Sequence, residues 1–499
     1  MRCLWSIVLS QKRICPASAT SSVCTAASIS LQQEFVIGAT LVAWGSSAKS
    51  IILGLIIGNI LAMLSFTFCC ATLGTSTRLT LYSYLKKILG PHAQKVYNLV
   101  WSLCSITLAA SGICVSSTAI RETVGIPIQH EWYPTHIGFP IIVVILGIIV
   151  TIVAANGFDA CAKFSSTCVP WMITIFFVGA VVALPQIAQA TGVEINSFAD
   201  IWNIFNSNVG SGSGNPNAEP YTIAHVACFA WLCNLAWHMG CNDMGLFRFA
   251  KNYKYGYITA IGMFVGHFFA WVTVAIMGAT AAAVLCTSLS VLDPGAVTNT
   301  VFGMTGICAV VVAGWTTANP TIYRSALALN TLMPKLSHKQ VTYIVGALMT
   351  ILACFPGMTN IGDIVSILGW AVVGVGAICI VEHYLFPKIG YTRFWSMYKE
   401  QAEYAAFEQA LKELVDRDAE AALAAGENKP VKNAGFTTVL SVIAYIVLAG
   451  IVVIALMTYM GSMTVVTFKS IAFILTICYF VLNGISTFIK YRNEAVVRQ

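Results

Sequence analysis

The chain has 499 residues, of which 58% are hydrophobic and only 9% charged, against about 25% charged for an ordinary soluble domain. With a mean hydropathy of +0.78, this composition excludes a soluble globular protein and describes an all-α polytopic membrane protein. The net charge of +7 does not mark a nucleic-acid binder, because its distribution follows membrane topology.

Residues 1–21 (MRCLWSIVLSQKRICPASATS) carry a short apolar stretch interrupted by Lys12 and Arg13, and no clear small-residue cleavage site. They read as an N-terminal cytoplasmic segment, not a cleaved signal peptide. Twelve spans of membrane-crossing length follow, at roughly 22–45, 49–73, 96–120, 137–155, 163–185, 222–245, 256–287, 299–325, 340–357, 362–386, 435–459 and 464–489. Residues 186–221 form an outside loop. They contain no basic residue and include the flexible stretch GSGSGNP, Gly210 to Pro216. Residues 387–434 are a cytoplasmic linker. Within it, Tyr404, Phe407, Leu411 and Leu414 recur at helical spacing, which predicts an amphipathic helix over 396–428. Residues 490–499 are a cytoplasmic tail.

This segmentation puts 24 of the 27 basic residues on one side and leaves Lys49, Arg121 and Lys469 on the other. The positive-inside rule then places both termini in the cytoplasm of a cell (plasma or inner) membrane protein. The 17 cysteines are scattered, mostly in apolar runs, with no CxxC pair. They read as small apolar fillers, not as a disulfide framework or zinc site.

Three polar clusters interrupt the spans. An ionisable group at mid-membrane costs on the order of 2.5–3.5 kcal/mol on insertion scales, so each cluster needs a reason. In span one, SISLQQEF (Ser28–Phe35) sets Gln32, Gln33 and Glu34 in succession. A helix unwound there would aim these groups and freed carbonyls at a cavity. In span six, NLAWHMGCNDMGLFRF (Asn234–Phe249) carries His238, Gly240, Asn242 and Asp243. Gly240 permits a backbone break, His238 lies beside Trp237, and Asp243 is expected to pair with Arg248. In span eight, GWTTANP (Gly314–Pro320) carries two hydroxyls, an amide and a proline. A threonine can bond back to its own helix, but consecutive side chains point about 100° apart. Pro320 cannot donate to the Thr316 carbonyl. Hydroxyls and loose carbonyls together make an all-oxygen site suited to a hard cation.

The interruptions in spans one and six are five spans apart, so the second unit is inverted relative to the first. Interrupted segments at corresponding positions of inverted halves point to a midplane substrate site in a secondary transporter. GLIIG (Gly54–Gly58) in span two is a helix-packing pattern.

LIIGNIL (Leu55–Leu61), FRFAKNYKYG (Phe247–Gly256), GWTTANPTIY (Gly314–Tyr323) and GVGAICIVEHYL (Gly374–Leu385) resemble, in order and position, the nucleobase:cation symporter-1 family of purine/cytosine permease-like transporters. The resemblance covers about Glu34 to Phe394. It implies a 5+5 inverted-repeat bundle of the amino acid–polyamine–organocation superfamily type (residues 22–185 and 222–386), followed by two extra helices at 435–489. It also implies a small nucleobase-like substrate between helices 1, 3, 6 and 8, near Gln33, Trp237, His238, Asn242 and Asn319. Where the family is sodium-coupled, the ion would lie at the Ala313 carbonyl and the Thr316 and Thr317 hydroxyls, with backbone carbonyls near Leu31 and Glu34. Three positions depart from the family pattern. Ala110 stands where the third helix usually has a stacking Trp, Gly245 stands at the family's Asp, and Val373-Gly374 replaces a Pro-Pro pair.

These features point to a symporter coupled to Na+ or H+ that imports a nucleobase or related heterocycle, with no cofactor and no nucleic-acid partner. An amino acid or other small polar solute on the same fold is the alternative. A channel is the remote one, since a lone hydroxyl pair and two interrupted helices do not form a symmetric filter. HExxH, GxSxG and GxxxxGK[ST] are absent, so no enzyme is expected.

Overall fold

The computed structural model describes residues 31–209, 220–248, 250, 252–393 and 434–497. Residues 1–21, the Gly210–Pro216 loop and the amphipathic segment expected at 396–428 lie outside the described residues.

Among the described residues the chain is all helix, with no strand. In order, the elements are α1 (Leu31–Ala43), α2 (Ala48–Thr77), α3 (Leu81–Ile88), α4 (Gly90–Thr123), α5 (Gly138–Ala155) and α6 (Phe158–Thr191), then the loop helix α7 (Phe198–Ile204). Span six follows as three pieces, α8 (Ile223–Leu232), α9 (Leu235–His238) and α10 (Met244–Phe247). After it come α11 (Tyr253–Val284), the loop helix α12 (Pro294–Phe302), α13 (Met304–Asn330), α14 (His338–Ala353), α15 (Ile361–Ile389), α16 (Ala434–Tyr459) and α17 (Val465–Val497).

Eight described helices are long and apolar enough to cross a membrane: α2, α4, α5, α6, α11, α15, α16 and α17. The other four expected spans fall short for separate reasons. α1 has 13 described residues, and span six is broken. α14 has 16 residues. α13 has 27 residues but carries GWTTANP and Arg324.

Close helix contacts are made through small residues, as expected where lipid offers no hydrophobic contrast. A Cβ on Gly54 or Gly58 of α2 would collide with Val226 or with Ala227 and Ala230 of α8. A Cβ on Gly38 of α1 would sit 2.5 Å from the Trp271 carbonyl of α11. Between α5 and α14 the contact is reciprocal. A Cβ on Gly147 would meet the Thr350 hydroxyl at 2.2 Å, and one on Gly346 would meet the Thr151 hydroxyl at 2.2 Å. Between α4 and α13 a reciprocal hydrogen-bond pair joins Ser102 and Ser325. Gly314 of α13 also lies against Gly112 and Ser116 of α4, and the Ser116 hydroxyl donates to the Val311 carbonyl at 3.2 Å.

Candidate functional site

The break expected in span six is present and double. The helix stops after Leu232, resumes for the four residues of α9, and stops again over Met239–Asp243. Gly240 lies in the second gap, where a Cβ would sit 2.5 Å from the Ala236 carbonyl. The left-handed residue is its neighbour Cys241, at φ 59°. Side chains satisfy the backbone groups that the break releases, as burial demands. The Asn242 amide donates to the Ala236 carbonyl at 2.9 Å and accepts from the Tyr97 hydroxyl at 3.0 Å. His238 is fully buried. Its Nδ1 accepts from the Met239 N–H at 2.8 Å and its Nε2 lies 3.0 Å from the Trp231 carbonyl. That pattern fixes a neutral ring protonated on Nε2. Both polar candidates of this stretch thus brace the break.

The unwinding expected at Gln32, Gln33 and Glu34 is not present: Leu31–Ala43 is one helix. The stretch Leu31–Ile37 holds neither glycine nor proline, so nothing there relaxes the backbone or removes a donor. The expected Asp243–Arg248 pair is also replaced. Asp243 pairs with Arg324 of α13 at 3.3 Å. Five helical residues place Asp243 and Arg248 about 140° apart, whereas Arg324 crosses directly from the facing helix.

Trp237 is buried and its ring meets two partners. The Arg324 guanidinium carbon lies 4.8 Å from the ring centroid, and Trp101 of α4 approaches edge-on at 5.1 Å. The aromatic residues of the third span that face the break are therefore Trp101 and Tyr97. Ala110 packs instead in the cluster shared with Phe139, Val143 and Ile322. One turn from Trp101, the Ser105 hydroxyl is buried with no hydrogen-bond partner among the described residues. Sequence reasoning passed over Trp101, Ser105 and Arg324. Two of them are ordinary in an apolar run, and Arg324 counted as a topology charge.

In α13, Ala313, Thr316, Thr317 and Asn319 are all buried. The Thr316 hydroxyl donates to the Ala313 carbonyl at 2.9 Å, which leaves the Thr316 oxygen lone pairs as acceptors. The Thr321 hydroxyl donates to the Thr317 carbonyl at 2.8 Å. Pro320 lies inside the helix and gives the Thr316 carbonyl no main-chain donor. Thr317 and Arg324 are seven residues apart, about 20° from two full turns, so both lie on the face that looks toward the span-six break. α13 also packs along α1, and Ala313 shares a cluster with Val36 and Ala39. α13 thus meets two different neighbours: Ala313 packs against α1, and Arg324, further along the helix, reaches Trp237 of α9. Asn319 turns away. With its amide oriented to suit its neighbours, the nitrogen donates to the Val150 carbonyl of α5 at 3.1 Å and the oxygen accepts from Trp315 Nε1 at 2.9 Å. Among the described residues no group of three or more His, Cys, Asp or Glu side chains is placed to hold a metal ion.

The fold recurs in known transporter structures. The chain shares its fold with Mhp1, a nucleobase-cation-symport-1 family transporter. A closed conformation of Mhp1 with bromovinylhydantoin bound matches at a TM-score of 0.53 and 13% identity, covering 95% of each chain. Inward-facing Mhp1 matches at 0.51 and 14% identity, covering 96% of this chain and 94% of that one. A Na+-coupled sialic acid symporter in a substrate-bound outward-open state matches at 0.51 and 13% identity, covering 73% of this chain and 79% of that one. No family model matches the sequence, and neither does any curated protein.

Proposed function

We propose that the chain is a cation-coupled secondary transporter. It imports a nucleobase or related small planar heterocycle across the cell membrane by alternating access, with both termini in the cytoplasm. The observation that carries this reading is the double break of span six, set against the hydroxyl-bearing face of α13. A midplane helix break facing a buried oxygen cluster is how such transporters hold substrate and ion together. The fold shared with Mhp1 across 95% of both chains supports it.

In this reading the chain crosses the membrane twelve times as a 5+5 inverted repeat with two added helices. Spans three and eight, and spans four and nine, are equivalent under such a repeat. The reciprocal contacts of α4 with α13, and of α5 with α14, have the two-fold form that supports it.

The coupling cation, Na+ by preference, sits on the Ala313 carbonyl and the Thr316 and Thr317 hydroxyls; the Leu31 and Glu34 carbonyls, expected as further ligands, lie in the unbroken helix α1. The substrate lies on Trp237, with Ser105 as a polar contact. His238 and Asn242 shape the cavity by holding the break, and Asn319 fixes the register of α13 against α5. A thermal-shift screen of the purified protein with purines, pyrimidines and amino acids, with and without sodium, tests the assignment. A nucleobase whose stabilising effect requires sodium is the expected result. Stabilisation by amino acids alone would replace the substrate class.

A further inference from the structure

We infer that Arg324 and Asp243 form a latch that closes the basic-loop side of the transport path, and that Trp237 wires this latch to the substrate platform. Both halves rest on the transport function proposed above, and the second also rests on its nucleobase platform.

The pair joins two groups of helices that also meet at Trp101–Trp237 and at Tyr97–Asn242. α9 and α10 belong with α2 and α15. Gly74 of α2 lies against Met244 and Phe247 of α10, and a Cβ on Gly376 of α15 would fall 1.6 Å from the Met239 carbonyl. The Cys70 thiol of α2 also donates to the Trp237 carbonyl at 3.4 Å. α13 belongs with α4 and α5, through Ser102–Ser325 and through Asn319 to Val150. The Arg324–Asp243 bond of 3.3 Å spans the seam between them, with side chains 20% and 6% exposed. Any movement that parts α10 from α13 on this side must break it. Separating a buried pair is costly because each charge loses its partner before water can reach it.

The guanidinium does a second thing. It covers one face of Trp237, the surface on which a planar ring would stack. A cation and a flat heterocycle compete for the same π-face. A substrate that takes the face removes one of the two contacts holding Arg324 in place. Substrate arrival therefore loosens the latch, and only by as much as the substrate prefers the displaced state.

Cys241 reports on the latch. It is fully buried at the left-handed turn, two residues before Asp243. The experiment uses the full-length protein in inside-out membrane vesicles with a membrane-impermeant maleimide. The alkylation rate of Cys241 is read by peptide mass spectrometry. Arg324→Gln and Asp243→Asn should each raise the rate about tenfold or more, the scale of a lost charged hydrogen bond. Arg324→Lys should raise it less, and it supplies the comparison if the Gln variant does not accumulate. The exchange Asp243→Arg with Arg324→Asp should return the rate toward wild type. Unchanged rates in the single variants, or a double variant as fast as the singles, would overturn the latch. Saturating adenine, guanine, cytosine or uracil should raise the wild-type rate but not that of Trp237→Leu. If no nucleobase acts while the charge variants behave as expected, the latch stands and the wiring to a nucleobase platform is overturned.

Discussion

Ser102 and Ser325 exchange hydrogen bonds across two antiparallel helices. The Ser325 hydroxyl donates to the Ser102 carbonyl at 3.1 Å, and the Ser102 hydroxyl donates to the Ser325 carbonyl at 3.3 Å. Neither hydroxyl bonds back to its own helix, so both are spent on the contact. Interhelical bonds of this kind are worth about 0.6 kcal/mol on average in membrane proteins. Ser102→Ala and Ser325→Ala should each lower stability by roughly that amount. In a double-mutant cycle the pair should lose less than the sum, because the two bonds share one geometry. Full additivity in an unfolding titration would mean that the exchange is not a coupled unit.

Gly147 and Gly346 make the neighbouring contact through the absence of a side chain. The Thr350 and Thr151 hydroxyls fill the space each Cβ would need while bonding back to the Gly346 and Gly147 carbonyls. Threonine is stiff at χ1, so it cannot swing aside. Gly147→Ala should destabilise by about 1–3 kcal/mol through overpacking, and Thr350→Ala in the same chain should recover much of that. Thermal unfolding in detergent measures both. An unperturbed melting point for Gly147→Ala would contradict the interlock.

His238 separates a structural role from a substrate contact. Its ring bonds the Met239 N–H and the Trp231 carbonyl; the Met239 N–H also reaches the Leu235 carbonyl, so His238→Ala strips the side-chain donor from the Trp231 carbonyl alone, at about 1–3 kcal/mol. The expected outcome is loss of folded protein in membranes, at matched expression, with little change in apparent substrate affinity for the fraction that folds. A well-folded variant with a large affinity loss would instead make His238 a substrate ligand.

How far the sequence carries depends on the range of the interaction. Span lengths are local, so the apolar runs locate α2, α4, α5, α6, α11, α15, α16 and α17, with ends up to eight residues off. Gly240 marks the span-six break because backbone freedom is also local. The run Gln32–Glu34 misleads: polarity alone does not unwind a helix that keeps every donor and has no glycine there. Arg324 escapes sequence reading because its partners are 81 and 87 positions away, at Asp243 and Trp237. The Gly-x-x-x-Thr pattern of Gly147–Thr151 and Gly346–Thr350 was readable in spans four and nine. What the sequence lacks is the knowledge that the two patterns face each other.

Thr317 and Thr316 give the test of the cation assignment within α13. Thr317→Ala should weaken sodium activation of uptake while leaving the melting temperature in the absence of sodium within a few degrees. Thr317→Ser, which keeps the hydroxyl, should restore activation. Sodium dependence identical to wild type in Thr317→Ala would move the ion elsewhere.

The central claim is cation-coupled transport, with the ion on α13 and the substrate at the span-six break. Its most direct measurement is uptake of radiolabelled nucleobases into proteoliposomes holding the purified chain, with an inward sodium gradient, an inward proton gradient, or neither. Saturable accumulation above the equilibrium level is expected under one of the two gradients, sodium by preference, abolished by Thr316→Ala with Thr317→Ala. Flux that never exceeds equilibrium under either gradient, or that is non-saturable across the panel, would contradict it.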